Sequence, residues 1–232
     1  MDQTETQPWG APRPAREPMF NAPWTVVVLC VGLIALYAAQ TFALSATAVD
    51  QLALTRSALA AGRWQTLFTA MFLHGSWPHV LMNAVAALAF GPPVARLFGL
   101  GLRGALVFGL FYLLCGLLAG LGFVAADWGA VTPVVGASGA ISGLVGAAAR
   151  IIEGHGRVGP IFGRTVAAMT VGWVFANVVL GVSGWTPGAM GVQVAWQAHL
   201  AGYAAGLLLV GPFARLAGRG PEDFVQGPDF TQ

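Results

Sequence analysis

Residues 165–214 read TVAAMTVGWVFANVVLGVSGWTPGAMGVQVAWQAHLAGYAAGLLLVGPFA, fifty positions without an Asp, Glu, Lys or Arg. About 20 apolar residues cross a bilayer core, so this stretch accommodates two crossings and a turn between them. Outward from it the pattern repeats: residues 18–49, 64–95, 104–126 and 128–149 are equally uncharged. Of the 232 residues, 56% are hydrophobic and 9% charged, against roughly 25% charged in soluble domains. Such a chain is neither disordered nor a nucleic-acid binder that works by neutralising phosphates. It reads as an all-α polytopic membrane protein that inserts into a lipid bilayer.

The apolar runs and their breakers predict six transmembrane helices: Trp24–Leu44, His79–Leu97, Arg103–Phe123, Ser138–Ile152, Arg164–Val182 and Val194–Phe213. The fourth is short for a full crossing. Six spans put both termini on one side, and the eleven cations, all arginine, then sort unevenly. Arg13, Arg16, Arg96, Arg103, Arg150, Arg157, Arg164, Arg215 and Arg219 fall on the terminal side, and only Arg56 and Arg63 fall opposite. The positive-inside bias therefore predicts cytoplasmic termini. Residues 1–23 read as a short flexible cytoplasmic tail ahead of an uncleaved first span, 24–213 as a six-helix membrane-embedded domain, and 214–232 as a second short cytoplasmic tail. Cys30 and Cys115 both lie inside spans and read as small packing residues. The long connection 45–77 is rich in Leu, Phe and Trp, so it is expected to lie in the interface with its backbone satisfied by short helices.

Against this background a polar residue within a span is a site hypothesis. The informative ones are His79, Asn83, Ser138, Ser142, Asn177, Gln197 and His199. His79 and Asn83 are one turn apart near the start of the second span, Ser138 opens the fourth, and His199 lies about five residues into the sixth. Three helices thus bring His, Asn, Ser and His to one shallow layer on the outer side. That set suits nucleophilic acyl transfer: Ser138 as nucleophile, His199 as the base that takes its proton, and amide, imidazole and helix N-terminal N–H groups as oxyanion donors. Asp50 and Asp127 sit in outer loops and Glu153 at the far end, which leaves a Ser–His dyad as the economical reading. Gly139, Gly143 and Gly146 form a stripe behind Ser138, and Gly202 and Gly206 another behind His199; facing stripes would let the two helices close up. A second G-x-S-G, at Gly181–Gly184, places Ser183 at the electronegative end of a helix, the wrong place for an oxyanion.

These residues resemble the rhomboid intramembrane serine proteases. His74-Gly-Ser-Trp-Pro-His79-Val-Leu-Met-Asn83 is similar to that family's H-x₄-H-x₃-N, Gly136-Ala-Ser138-Gly to its G-x-S-G, and Ala198-His199-Leu-Ala-Gly202-Tyr-Ala-Ala-Gly206 to its A-H-x₂-G-x₃-G. The resemblance implies a six-helix rhomboid-like bundle that hydrolyses peptide bonds in or beside the transmembrane segments of membrane-protein substrates. It implies Ser138 as nucleophile, His199 as base, and His79, Asn83 and the Ser138 N–H as the oxyanion hole, with no cofactor and no metal. The expected location is a prokaryotic cytoplasmic membrane, with the active site toward the outer face. Residues 184–193, with Trp185 and Met190, have the composition of a mobile lid over the site. Two departures stand out. Arg63 precedes Trp64 where the family commonly has Trp-Arg, and Ser142 stands where an aromatic usually packs on the catalytic imidazole, leaving Trp196 or Tyr203 to orient it. His74 reads as a loop-structuring residue. The alternative function is a catalytically inactive rhomboid-like protein that binds or escorts membrane clients. A transporter is disfavoured because the fifth and sixth spans carry no charge.

Overall fold

A computed structural model describes residues 22–126, 133–183 and 194–225. Six long helices dominate it: α1 (Trp24–Ala43), α5 (Trp77–Phe98), α6 (Leu102–Ala126), α7 (Ser138–Glu153), α8 (Arg164–Ser183) and α9 (Trp196–Leu216). Between α1 and α5 the chain forms three short helices, α2 (Ala46–Leu52), α3 (Arg56–Ala60) and α4 (Thr66–Thr69), and a 3₁₀ turn at Ala70–Phe72. Among the described residues there are isolated β-bridges and no strands.

The long helices begin and end within a few residues of the predicted spans because the breakers are chemical. Ser76 caps α5, its hydroxyl accepting from His79 N–H, with Pro78 in the first turn, where a missing N–H is harmless. Gly99 at φ 99° stops the same helix. The helix therefore starts two residues earlier than His79, and α9 starts two residues later than Val194.

Length and hydropathy alone qualify α1, α5, α6 and α8 as membrane crossings. The remaining two are the inner helices. α7 has 16 residues, of which Gly139–Ala149 and Ile151 are buried. A helix wrapped by protein need not be long or greasy, because its neighbours supply the apolar surroundings. α7 packs on α9, α6 and α5, and α9 in turn on α6.

The approach of α7 and α9 depends on the glycine stripes. A Cβ added at Gly202 would fall on the carbonyl oxygen of Gly139, one at Gly206 on that of Gly143, and one at Gly146 on that of Tyr203. Backbone meets backbone, as small residues permit in membrane bundles. Cys115 lies in the same seam, its Cβ 2.5 Å from where a Gly143 side chain would start. Both cysteines are buried and reduced.

At the far end from Ser138 arginines donate to backbone carbonyls. Arg150 donates to Gly159 O at 2.8 Å and Leu207 O at 2.9 Å, Arg103 to Leu216 O at 2.7 Å, and Arg219 to the carbonyls of Leu97 and Arg96. The Arg103 and Arg219 bonds close the C-termini of α9 and α5, whose last carbonyls have no partner within the helix, and Arg150 ties α7 to the loop at Gly159 and to the middle of α9.

The connection between α1 and α5 is held by short helices, as its composition predicts. Ser45 and Thr55 cap α2 and α3 through their hydroxyls. Three further bonds carry the connection to the site. Leu54 pairs with Val134 through N–H···O bonds of 3.0 and 2.8 Å, and Gly136 N–H donates to Ala70 O at 2.9 Å. Residues 134–136, just ahead of Ser138, are thereby fixed to this connection.

Candidate active site

Ser138 is the first residue of α7, and His199 lies one turn into α9. Ser138 Oγ and His199 Nε2 are 2.8 Å apart, within direct hydrogen-bond reach. The residues gathered at one depth by sequence position thus do meet in space. The pair borders a cavity of about 380 Å³ that also takes in His79, Asn83 and Ser142.

His79 reaches the cavity from the first turn of α5, and Asn83 from one turn further. Gly75 N–H points at His79 Nδ1 at 3.5 Å, which leaves Nε2 toward Gly136 and Ser138. Gly136 has φ 126°, a conformation that side chains rarely adopt, and a Cβ there would lie 2.8 Å from His79 Nε2. Only glycine meets both demands. Asn83 is buried, and its Nδ2 has no hydrogen-bond partner among the described residues. An idle buried amide donor beside a cavity is costly unless something occupies that cavity. The first N–H groups of α7 add free donors at the positive end of a helix.

His74 takes no part in the cavity lining. It is buried, its ring edge-on to Tyr37 and to His79 at centroid distances of 6.1 and 5.1 Å. Burial, with the neighbouring His79 ring, holds its pKa well below the ordinary histidine range, so the ring is neutral. Its backbone is clasped by Gln40 of α1: Gln40 Nε2 donates to His74 O at 2.8 Å, and His74 N–H donates to Gln40 Oε1 at 3.0 Å. Ser183, in the second G-x-S-G, ends α8 and does not line the cavity. Trp185, Met190 and Asp127 lie outside the described residues.

Of the two polar residues given no role in the sequence, Gln197 borders the cavity and Asn177 also meets the Ser–His pair. Asn177 Oδ1 lies 2.7 Å from His199 Nδ1, on the opposite side of the ring from Ser138. Ser142 does not orient the imidazole; its hydroxyl donates to Ser138 O at 2.7 Å. Neither expected substitute for the missing aromatic fills that role. Tyr203 stacks on Trp173 and shares a 2.9 Å hydroxyl contact with Thr170, and Trp196 packs on Gly181. A signal for Asn177 was present: it is the single amide in α8, six residues before the helix end, at the depth of His199. Among the described residues no three of His, Cys, Asp and Glu are grouped to hold a metal ion.

The family model described as Rhomboid domain matches residues 61–215. The chain belongs to the rhomboid family. That segment includes α5 to α8, all but the last residue of α9, and His79, Asn83, Ser138, Asn177 and His199, and with its apolar helices it makes this rhomboid an integral membrane protein. RHOMBOID-like protein 9, chloroplastic, of Arabidopsis thaliana is 40% identical over 89 residues, 38% of this chain. The match spans 18% of that relative's length.

Proposed function

We propose that this rhomboid is an intramembrane serine endopeptidase that cleaves transmembrane protein substrates at the end of the bundle where Ser138 lies. The observation that carries this reading is the 2.8 Å contact between Ser138 Oγ and His199 Nε2 beside an unpartnered Asn83 amide. A half-buried dyad with a ready oxyanion donor has a use in acyl transfer, and a packing role does not require it.

The chemistry runs in two halves. His199 Nε2 takes the Ser138 proton as Oγ attacks the substrate carbonyl carbon. The oxyanion that forms is met by Asn83 Nδ2–H, a His79 ring N–H and the N–H groups that open α7. The imidazolium returns its proton to the leaving amine, and the C–N bond breaks. Water then enters from the open end of the cavity, gives its proton to His199, and hydrolyses the acyl-serine to release acid and regenerate Oγ–H. A substrate must present an extended backbone to reach Oγ, so segments near the membrane surface with small or helix-breaking residues suit the site.

The arginine bias favours cytoplasmic termini and a site facing the outer side of a prokaryotic cytoplasmic membrane. The lid role of residues 184–193, with Trp185 and Met190, rests on composition and on their place between α8 and α9.

The test is labelling of detergent-solubilised protein with a fluorophosphonate, alongside cleavage of a reporter transmembrane substrate. Wild type is expected to label and cleave, and Ser138→Ala to do neither. Wild type inert in both assays would instead overturn the protease reading in favour of an inactive rhomboid-like protein.

A further inference from the structure

We infer that Asn177 is a positioning residue that stands in for the carboxylate of a triad, setting the tautomer of His199 from a helix otherwise turned toward lipid. This inference rests on the proposed Ser138–His199 chemistry.

A base can accept the serine proton at Nε2 only if the ring proton sits on Nδ1. In a carboxylate triad an acceptor-only oxygen at Nδ1 enforces that state. An amide can do the same only if its oxygen, and not its NH₂, faces the ring. Here the network decides which end faces in. Asn177 Nδ2 donates to Trp173 O at 2.9 Å, one turn back along α8, and a carbonyl can only accept. Oδ1 is therefore the atom 2.7 Å from His199 Nδ1, and it too can only accept. The Nδ1 proton must point at Asn177, which leaves the Nε2 lone pair facing Ser138 Oγ.

Its surroundings give Asn177 this role alone. Among the described residues no Asp or Glu lines the cavity, and Ser142 is committed to Ser138 O. Of the 20 residues of α8 only Val166 and Asn177 are buried, while Val171, Phe175 and Val182 are 70%, 69% and 82% exposed. Asn177 is 3% exposed. Burying an amide on a lipid-facing helix is unfavourable without full pairing, and its pairing is the imidazole.

The experiment uses full-length protein with ¹⁵N-labelled histidine in detergent, with His199 assigned by its absence in His199→Asn. Ring nitrogen shifts report the tautomer on the resting protein, without substrate. Wild type is expected in the Nδ1–H form. Asn177→Leu, close in volume, is expected to lose that form and to lower kcat and the fluorophosphonate labelling rate by about 10²-fold, with KM within about twofold. Asn177→Asp keeps an accepting oxygen and is expected to retain the Nδ1–H form and recover labelling to within about tenfold of wild type. Wild-type His199 in the Nε2–H form would overturn the inference, as would Asn177→Leu with unchanged tautomer and rate. If Asn177→Leu does not fold, the wild-type tautomer and the Asp variant still decide. Because the tautomer is read without turnover, an inert wild type would sink the protease reading and leave this result separately legible.

Discussion

α7 and α8 are consecutive helices that meet the same histidine-centred site, yet they are built in opposite ways. Twelve of the 16 residues of α7 are buried, and its glycines press backbone on backbone against α9. α8 buries two residues of 20. The proposed nucleophile is thus carried by the most enclosed helix of the bundle, and the residue behind the proposed base by the most exposed one. Close backbone packing holds Ser138 and His199 in register without help from side-chain rotamers, which suits a geometry that tolerates little error. The α8 contribution depends on a few side-chain contacts with α9 along one face: Thr170 with Tyr203, Trp173 with Tyr203, Asn177 with His199 and Gly181 with Trp196.

The contrast can be broken at its strong side first. Ser138→Ala is expected to lower substrate cleavage by at least about 10³-fold without lowering the melting temperature, while Ser183→Ala stays within about twofold of wild type; cleavage assays on both decide the nucleophile. Gly202→Val and Gly206→Val drive a side chain into a backbone carbonyl that cannot step aside. Each is expected to cost about 3 kcal/mol or more of stability, read as a lower melting temperature in detergent, with loss of labelling. Gly136→Ala adds backbone strain and a methyl against His79 Nε2, and is expected to lower kcat by about 10²-fold, as removing an oxyanion donor does. On the weak side, Phe175→Ala and Val171→Ala point into lipid and are expected to change cleavage by no more than about twofold. A large loss in either would mean that the exposed face of α8 has a partner, and the contrast would need redrawing.

Much of this was legible in sequence because the background is so apolar. Charge-free runs fixed all six long helices to within a few residues, and His79, Asn83, Ser138 and His199 stood out as polar residues at one depth. Helical spacing showed the two glycine stripes, and the structure shows that they face each other. What resisted reading was rotation about the helix axis. Nothing in VGWVFANVVLGVS tells which way Asn177 points, since α8 is apolar on every side and offers no amphipathic stripe to orient it. The same ignorance made Trp196 and Tyr203 plausible orienters. Sequence also located the long connection without showing its pairing to residues 134–136, because two backbone segments meeting in space leave no side-chain signature.

The Gln40 clasp on His74 extends the functional unit in an unexpected direction. One amide side chain takes both the N–H and the carbonyl of that peptide, as a neighbouring strand would. From His74 the chain runs through Gly75 to the Ser76 cap and His79. Gln40 belongs to α1, which lies entirely upstream of residue 61, where the family match begins. α1 is therefore a strut for the proposed oxyanion side of the site as well as an apolar helix long enough to cross a membrane. A chain trimmed to the matched segment would keep every residue of the proposed chemistry and lose what braces one wall of it.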